Sequence, residues 1–140
     1  MKAAICCLSA KYIHASLAPW CLKAGVDSLC DDNIEATVFE FTINGCIDDF
    51  INRIREFSPD VISFTCYIWN ITKTLDVCRS LKQLTNAIIV LGGPEVSYRA
   101  EDILKNYDFI DYVLSGEGEE TYPWLINNLN RKESIFTYRV

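Results

Sequence analysis

No run of basic residues occurs anywhere in this chain, and its 13 Lys and Arg are outnumbered by 19 Asp and Glu, for a net charge of -6. Phosphate binding needs clustered cations that release counterions, so the sequence predicts no nucleic-acid partner. The same lack argues against an anionic membrane surface. No apolar stretch approaches the ~18 residues of a membrane span. Signal-peptide character is missing too, because Met1-Lys2 leads into a short apolar run that Ser9 and Lys11 end. A soluble, cytoplasmic protein is expected. Neither a Walker loop nor an internal repeat nor a low-complexity segment is present.

What is there fits one domain: 140 residues, half of them apolar, a length that buries a substantial core. The seven cysteines are an odd number. Neighbours such as Cys6 and Cys7 point to opposite faces of a strand, so they read as small buried hydrophobes of a reducing compartment.

Short apolar runs alternate with helical stripes. The predicted strands are Lys2 to Leu8, Ile34 to Phe41, Val61 to Cys66, Ala87 to Leu91 and Ile110 to Leu114. Between them the spacing predicts a helix from Leu17 to Cys30, with Leu17, Trp20, Cys21 and Ala24 on one face. A second carries Ile47, Phe50, Ile51 and Ile54, and a third runs from about Ile71 to Thr85 with Leu75, Cys78 and Leu81 inward. A short helix spans Glu101 to Asn106. A last one starts near Glu119 and buries Tyr122, Leu125, Ile126 and Leu129. Five strands alternating with helices imply an α/β fold in three layers. A doubly wound, five-stranded parallel sheet of flavodoxin-like order 2-1-3-4-5 is expected.

In such sheets ligands bind outside the carboxyl ends of the strands. The loops there run over 9–16, 42–46, 66–70, 92–98 and 115–120. They hold Gly92, Gly93, Gly116, Gly118, Trp69 and the only histidine, His14. Several flavodoxin-like functions fail against them. A phospho-receiver needs acidic residues after the first strand, where Ser9-Ala10-Lys11 stands. A flavin phosphate loop is absent at the same place, and Gly116-Glu117-Gly118-Glu119 keeps only the first two glycines of a dinucleotide fingerprint, after the wrong strand. The pair Gly92-Gly93 ahead of Pro94-Glu95 permits close backbone approach, either for a ligand or for a plain strand-to-loop turn. Trp69 beside Tyr67 is either a platform for a planar ring or packing at a helix start. Glu117, Glu119 and Glu120 precede a helix, where acidic residues complement the dipole.

Four segments then occur in order: SAKYIHASLAPWCLKAGV, TCYIWN, LGGPEVSY and SGEGEET. Together they resemble the N-terminal cobalamin-binding domain of B12-dependent radical S-adenosylmethionine proteins, particularly the group labelled anaerobic magnesium-protoporphyrin monomethyl ester oxidative cyclase-like. The resemblance covers essentially the whole chain. It implies a corrinoid on the carboxyl-end rim: Ser9, Lys11, Tyr12 and His14 under its lower side, and Thr65, Tyr67, Trp69 and Asn70 at its flank. It puts Gly92, Gly93, Pro94 and Glu95 along the nucleotide tail, with Gly116, Glu117, Gly118 and Glu119 closing the far side. Two departures qualify it. Aligning on His14 the D-x-H-x-x-G motif of methionine-synthase-like domains puts Tyr12 at the Asp position and Leu17 at the Gly position. The carboxylate that would orient the imidazole is missing, so no protein ligand to cobalt is assigned. No three cysteines have the C-x3-C-x2-C spacing that holds a 4Fe-4S cluster, so the cluster and S-adenosylmethionine would belong to a separate C-terminal domain.

The resemblance implies a positional module, residues 1–130, with 131–140 (ending IFTYRV) as the start of a linker to a radical S-adenosylmethionine domain. The parent reaction would be a methyl transfer or an oxidative cyclisation. The alternative is a corrinoid-free interaction domain of the same fold that packs on a catalytic barrel. A free-standing enzyme would require an acid–base pair or nucleophile, and none is evident. Substrate and oligomeric state stay open.

Overall fold

The computed structural model describes residues 1–10 and 16–133. Lys11, Tyr12, His14 and the IFTYRV segment therefore lie outside the described residues. Five strands, β1 (Lys2–Ser9), β2 (Glu35–Thr42), β3 (Val61–Thr65), β4 (Ile88–Gly92) and β5 (Tyr112–Val113), form one sheet of order β2-β1-β3-β4-β5, and all its pairings are parallel. The doubly wound order expected from the alternation is the order observed. Helices α1 (Leu17–Leu29) and α6 (Gly118–Arg131) cover one face, and α2 (Ile47–Phe57), α3 (Ile71–Leu84) and α5 (Ala100–Asn106) the other. A four-residue turn of helix, α4 (Pro94–Ser97), stands where the sequence predicts only a loop.

Strand residues alternate between two cores. Ala4, Cys6, Leu8, Ile62, Phe64, Ile89 and Leu91 meet Phe50, Ile54, Leu75, Cys78 and Leu81, while Ala3, Ile5, Val61 and Val90 meet Val26, Tyr122, Leu125 and Ile126. Both faces are dry, which is why consecutive residues of VISF and AIIVL are apolar.

Two expectations change. On α1 the stripe of Leu17, Trp20 and Ala24 faces outward, Leu17 being 76% exposed, and Pro19, Leu22 and Val26 pack inward instead. Gly25 and Gly118 explain the choice. A side chain at Gly25 would meet the Glu119 carbonyl at 2.9 Å, and one at Gly118 would meet Leu22 at 2.8 Å. The helix therefore approaches α6 on its glycine side. The fifth strand is also shorter than Ile110 to Leu114, because the Ile110 N–H closes a turn on the Tyr107 carbonyl.

Cys6, Cys7, Cys66 and Cys78 are buried free thiols. Burial pushes the Cys6 and Cys78 thiols well up and the Cys66 thiol up to about 12, so all three stay protonated when an unfolded chain would ionise them at 9.0. Their folded-state values are raised, so this contribution to stability is complete below pH 9.0 and is lost as pH climbs toward 12. Each such thiol removes about 1.4 kcal/mol per pH unit across its window. The denaturation midpoint is thus expected to hold steady up to pH 9.0 and fall steeply beyond it, read by urea unfolding. A flat midpoint up to pH 11, about two units above the free-thiol value, would contradict the buried thiols.

Candidate functional site

At the carboxyl ends of β3 and β4 a cavity of about 210 Å³ opens between the sheet and the first turns of α1 and α6. Its walls are apolar: Ala18 and Leu22 from α1, Val90 and Leu114 from the sheet, and the backbone of Gly92 and Gly93. Its floor is polar. Ser63, Thr65 and Tyr122 present three buried hydroxyl groups to it, each residue at most 5% exposed.

Those hydroxyls are not all satisfied. Ser63 Oγ donates to Tyr122 Oη at 2.9 Å, which uses one of the two available protons and leaves the phenol proton for a further acceptor. Burial pushes the Tyr122 phenol up, so it remains a neutral donor. Thr65 Oγ1 is buried with no partner. A buried hydroxyl without a hydrogen bond costs on the order of 1–3 kcal/mol, so an arrangement of this kind is complementary to a ligand with its own polar edge.

Gly93 fixes the mouth. Its φ is 104°, and a Cβ there would lie 2.6 Å from the Cys66 carbonyl oxygen and 2.9 Å from the Cys66 nitrogen. The β4 end consequently lies flat against the β3 end, where the Cys66 N–H donates to the Gly92 carbonyl at 2.7 Å and Glu95 N–H to the Cys66 carbonyl at 3.3 Å. Gly116, with φ 84°, turns the β5–α6 loop so that Glu117, Gly118 and Glu119 line the opposite wall.

Beside the cavity, the Tyr67 and Trp69 rings stack with centroids 4.5 Å apart and planes 2° from parallel. Trp69 is 53% exposed, so the pair is a surface shelf and not interior packing. Asn70 holds this loop from below. Its Oδ1 accepts the Tyr67 N–H at 2.8 Å, and its Nδ2 donates to the Leu8 and Thr65 carbonyls at 3.0 and 3.2 Å.

Thr65, Tyr67, Gly92, Gly93, Pro94, Gly116, Glu117, Gly118 and Glu119 thus share one cavity. Trp69 stands next to it on the shelf, and Asn70 acts as a buried brace. Glu95 is tied to Arg99 at 3.1 Å, and Ser9 ends β1, where its carbonyl accepts the Ile43 N–H at 2.9 Å; neither lines the cavity. Neither Ser63 nor Tyr122 is among the site residues that the sequence names, although Tyr122 is buried as expected. Ser63 had a visible signal as the one hydroxyl inside the apolar run VISF, whereas nothing in the sequence ties it to a tyrosine 59 positions away. Among the described residues no cluster of His, Cys, Asp and Glu could hold a metal ion, and no helix is long and apolar enough to cross a membrane.

Comparison with known proteins places this geometry in context. The profile of one family, the B12 binding domain, matches residues 6–126. The cobalamin-dependent radical SAM methyltransferase TokK of Streptomyces tokunonensis is 32% identical over 69 residues, 49% of this chain and 10% of that protein. The anaerobic magnesium-protoporphyrin IX monomethyl ester cyclase of Cereibacter sphaeroides is 27% identical over 112 residues, 74% of this chain and 18% of its own length. Among solved structures, the cobalamin-dependent S-adenosylmethionine radical enzyme OxsB, with aqua-cobalamin and S-adenosylmethionine bound, superposes with a TM-score of 0.80. That match covers 96% of this chain and 19% of the other at 14% identity, which speaks to the fold alone. The chain therefore spans a small part of these relatives.

Proposed function

The chain belongs to the B12-binding domain family, and from that premise we propose that it is the cobalamin-holding module of a radical S-adenosylmethionine enzyme, methyltransferase-like or oxidative-cyclase-like, that does not catalyse alone. The observation that carries this reading is the cavity floor, where the unpartnered Thr65 hydroxyl and the Ser63–Tyr122 pair lie below glycine-lined walls. These residues fit the planar, heteroatom-edged ring of a nucleotide tail. Thr65 and the hydroxyl pair would meet its polar edge, and Leu22, Val90 and the Gly92–Gly93 backbone its faces. Glu117 and Glu119 would accept hydrogen bonds from the amide side chains of the corrin, and the Tyr67–Trp69 shelf would support its flank. The family resemblance would put Ser9, Lys11, Tyr12 and His14 under the ring.

A corrinoid supplies a cobalt centre able to carry a methyl group or pass single electrons. This chain's part is to bind and orient it. No described side chain is placed as a nucleophile at the cavity, and the Cys66 thiol beside β3 packs in the opposite core and is held protonated by burial. The module would occupy residues 1–130 in the cytoplasm, with 131–140 leading to a catalytic barrel that carries the iron–sulfur cluster and S-adenosylmethionine.

Hydroxocobalamin added to the domain and followed through gel filtration tests this. Expected is co-elution with a shifted visible spectrum. Thr65→Val should leave unfolding unchanged or slightly improved, because it removes an unpaired hydroxyl, yet weaken retention on the order of tenfold. A colourless domain, together with a colourless full-length protein after B12-supplemented expression, would instead assign the fold to corrinoid-free packing on a barrel.

A further inference from the structure

The polar groups of the cavity are layered in depth, and the layering bears on which base the corrinoid's tail carries; this rests on the corrinoid reading. Side chains two apart on a strand share a face, so Thr65 and Ser63 both point to the α1 and α6 side of β3. Ser63 lies about 6.6 Å further from the rim. Thr65 is in register with Gly92 at the mouth, and Ser63 with Val90. Tyr122 reaches the same cavity from α6, one turn beyond Gly118. An unpartnered hydroxyl therefore stands nearer the mouth, and a hydrogen-bonded hydroxyl pair with one phenol proton to spare stands at the bottom.

This column suits a bicyclic base that enters edge first. Its upper level meets the ring nitrogen beside the ribose, which dimethylbenzimidazole and adenine both carry, and the Thr65 hydroxyl can donate to it. The lower level meets the far edge of the base, where the two differ. Dimethylbenzimidazole ends in two methyl groups, which leave the Tyr122 proton without an acceptor in a buried site. Adenine ends in ring nitrogens and an amine, which offer that proton an acceptor and the phenol oxygen a donor. The apolar walls, Leu22 and Val90, serve either base equally. Buried polar groups discriminate strongly against an analogue that leaves them unpaired.

We propose that Ser63 and Tyr122 set the base preference of the site: the chain takes corrinoids with either tail and holds a purine tail more tightly.

Titration of the whole chain with hydroxocobalamin and with its adenine-tailed analogue, followed by visible absorbance, tests this. The adenine form should bind on the order of tenfold more tightly. Thr65→Val should weaken both corrinoids by the same factor, because the nitrogen it meets is common to them. Ser63→Ala combined with Tyr122→Phe replaces both partners of one hydrogen bond by apolar groups of similar shape, so urea unfolding should barely change. In that double variant the preference should vanish. Equal affinities in the parent chain, or tighter binding of hydroxocobalamin, overturn the assignment and leave the corrinoid reading standing. A preference that survives the double substitution also overturns it. Should the double variant not fold, the comparison on the parent chain decides alone. Binding of neither corrinoid defeats both readings together.

Discussion

Gly93→Ala is expected to be the most damaging small substitution in the domain, costing on the order of 3 kcal/mol and abolishing corrinoid retention. Two penalties coincide at this residue. A φ of 104° with ψ 171° lies in a region reserved almost entirely for glycine, and the added Cβ would sit 2.6 Å from the Cys66 carbonyl oxygen. That oxygen belongs to backbone, which also accepts the Glu95 N–H, so the clash is relieved only by separating the ends of β3 and β4. Gly92→Ala provides the contrast. Its Cβ would have no neighbour closer than the Leu114 carbonyl oxygen at 3.9 Å, so the fold should lose less than about 1 kcal/mol. The new methyl would nevertheless stand at the cavity wall. Urea unfolding separates the two, and equal midpoints for Gly93→Ala and the parent chain would refute the assigned role of Gly93.

This contrast marks what was legible beforehand. Paired glycines ahead of Pro94 signalled a close approach, but which of the two needed its missing side chain depends on the Cys66 backbone 27 positions earlier. The sheet order was legible because it follows from local facts: runs apolar on consecutive residues, separated by helical stripes. The orientation of α1 was not. Leu17, Trp20 and Ala24 are as apolar as Pro19, Leu22 and Val26, so periodicity offered two faces, and the glycine contacts with α6 decided between them. Ser63 and Tyr122 were missed as site residues for a related reason. Each is an ordinary residue in its own element, and only the register of β3 beneath α6 makes them a polar floor.

The Tyr67–Trp69 shelf is the part of the site whose support can be tested apart from any ligand. Asn70 is fully buried and makes three bonds, to the Tyr67 N–H and to the Leu8 and Thr65 carbonyls. It joins the ends of β1 and β3 to the loop that carries the rings, and it also begins α3. Asn70→Ala would leave a backbone N–H without its acceptor and two carbonyls short of a donor, at about 1–3 kcal/mol for the orphaned amide alone. A loss of about 3 kcal/mol in urea unfolding is expected. Asn70→Asp should fare no better. It keeps an acceptor for Tyr67 but turns a buried carboxylate toward two carbonyl oxygens, where ionisation is strongly disfavoured. Its stability should therefore recover partly in acid, where the protonated carboxyl can donate once, and the alanine variant should show no such recovery. If both variants unfold alike at pH 5 and pH 8, about one unit above a carboxylate's usual range and well beyond it, the brace does not work through the Nδ2 donor. If Asn70→Ala unfolds like the parent chain, the shelf is held by its own stacking instead.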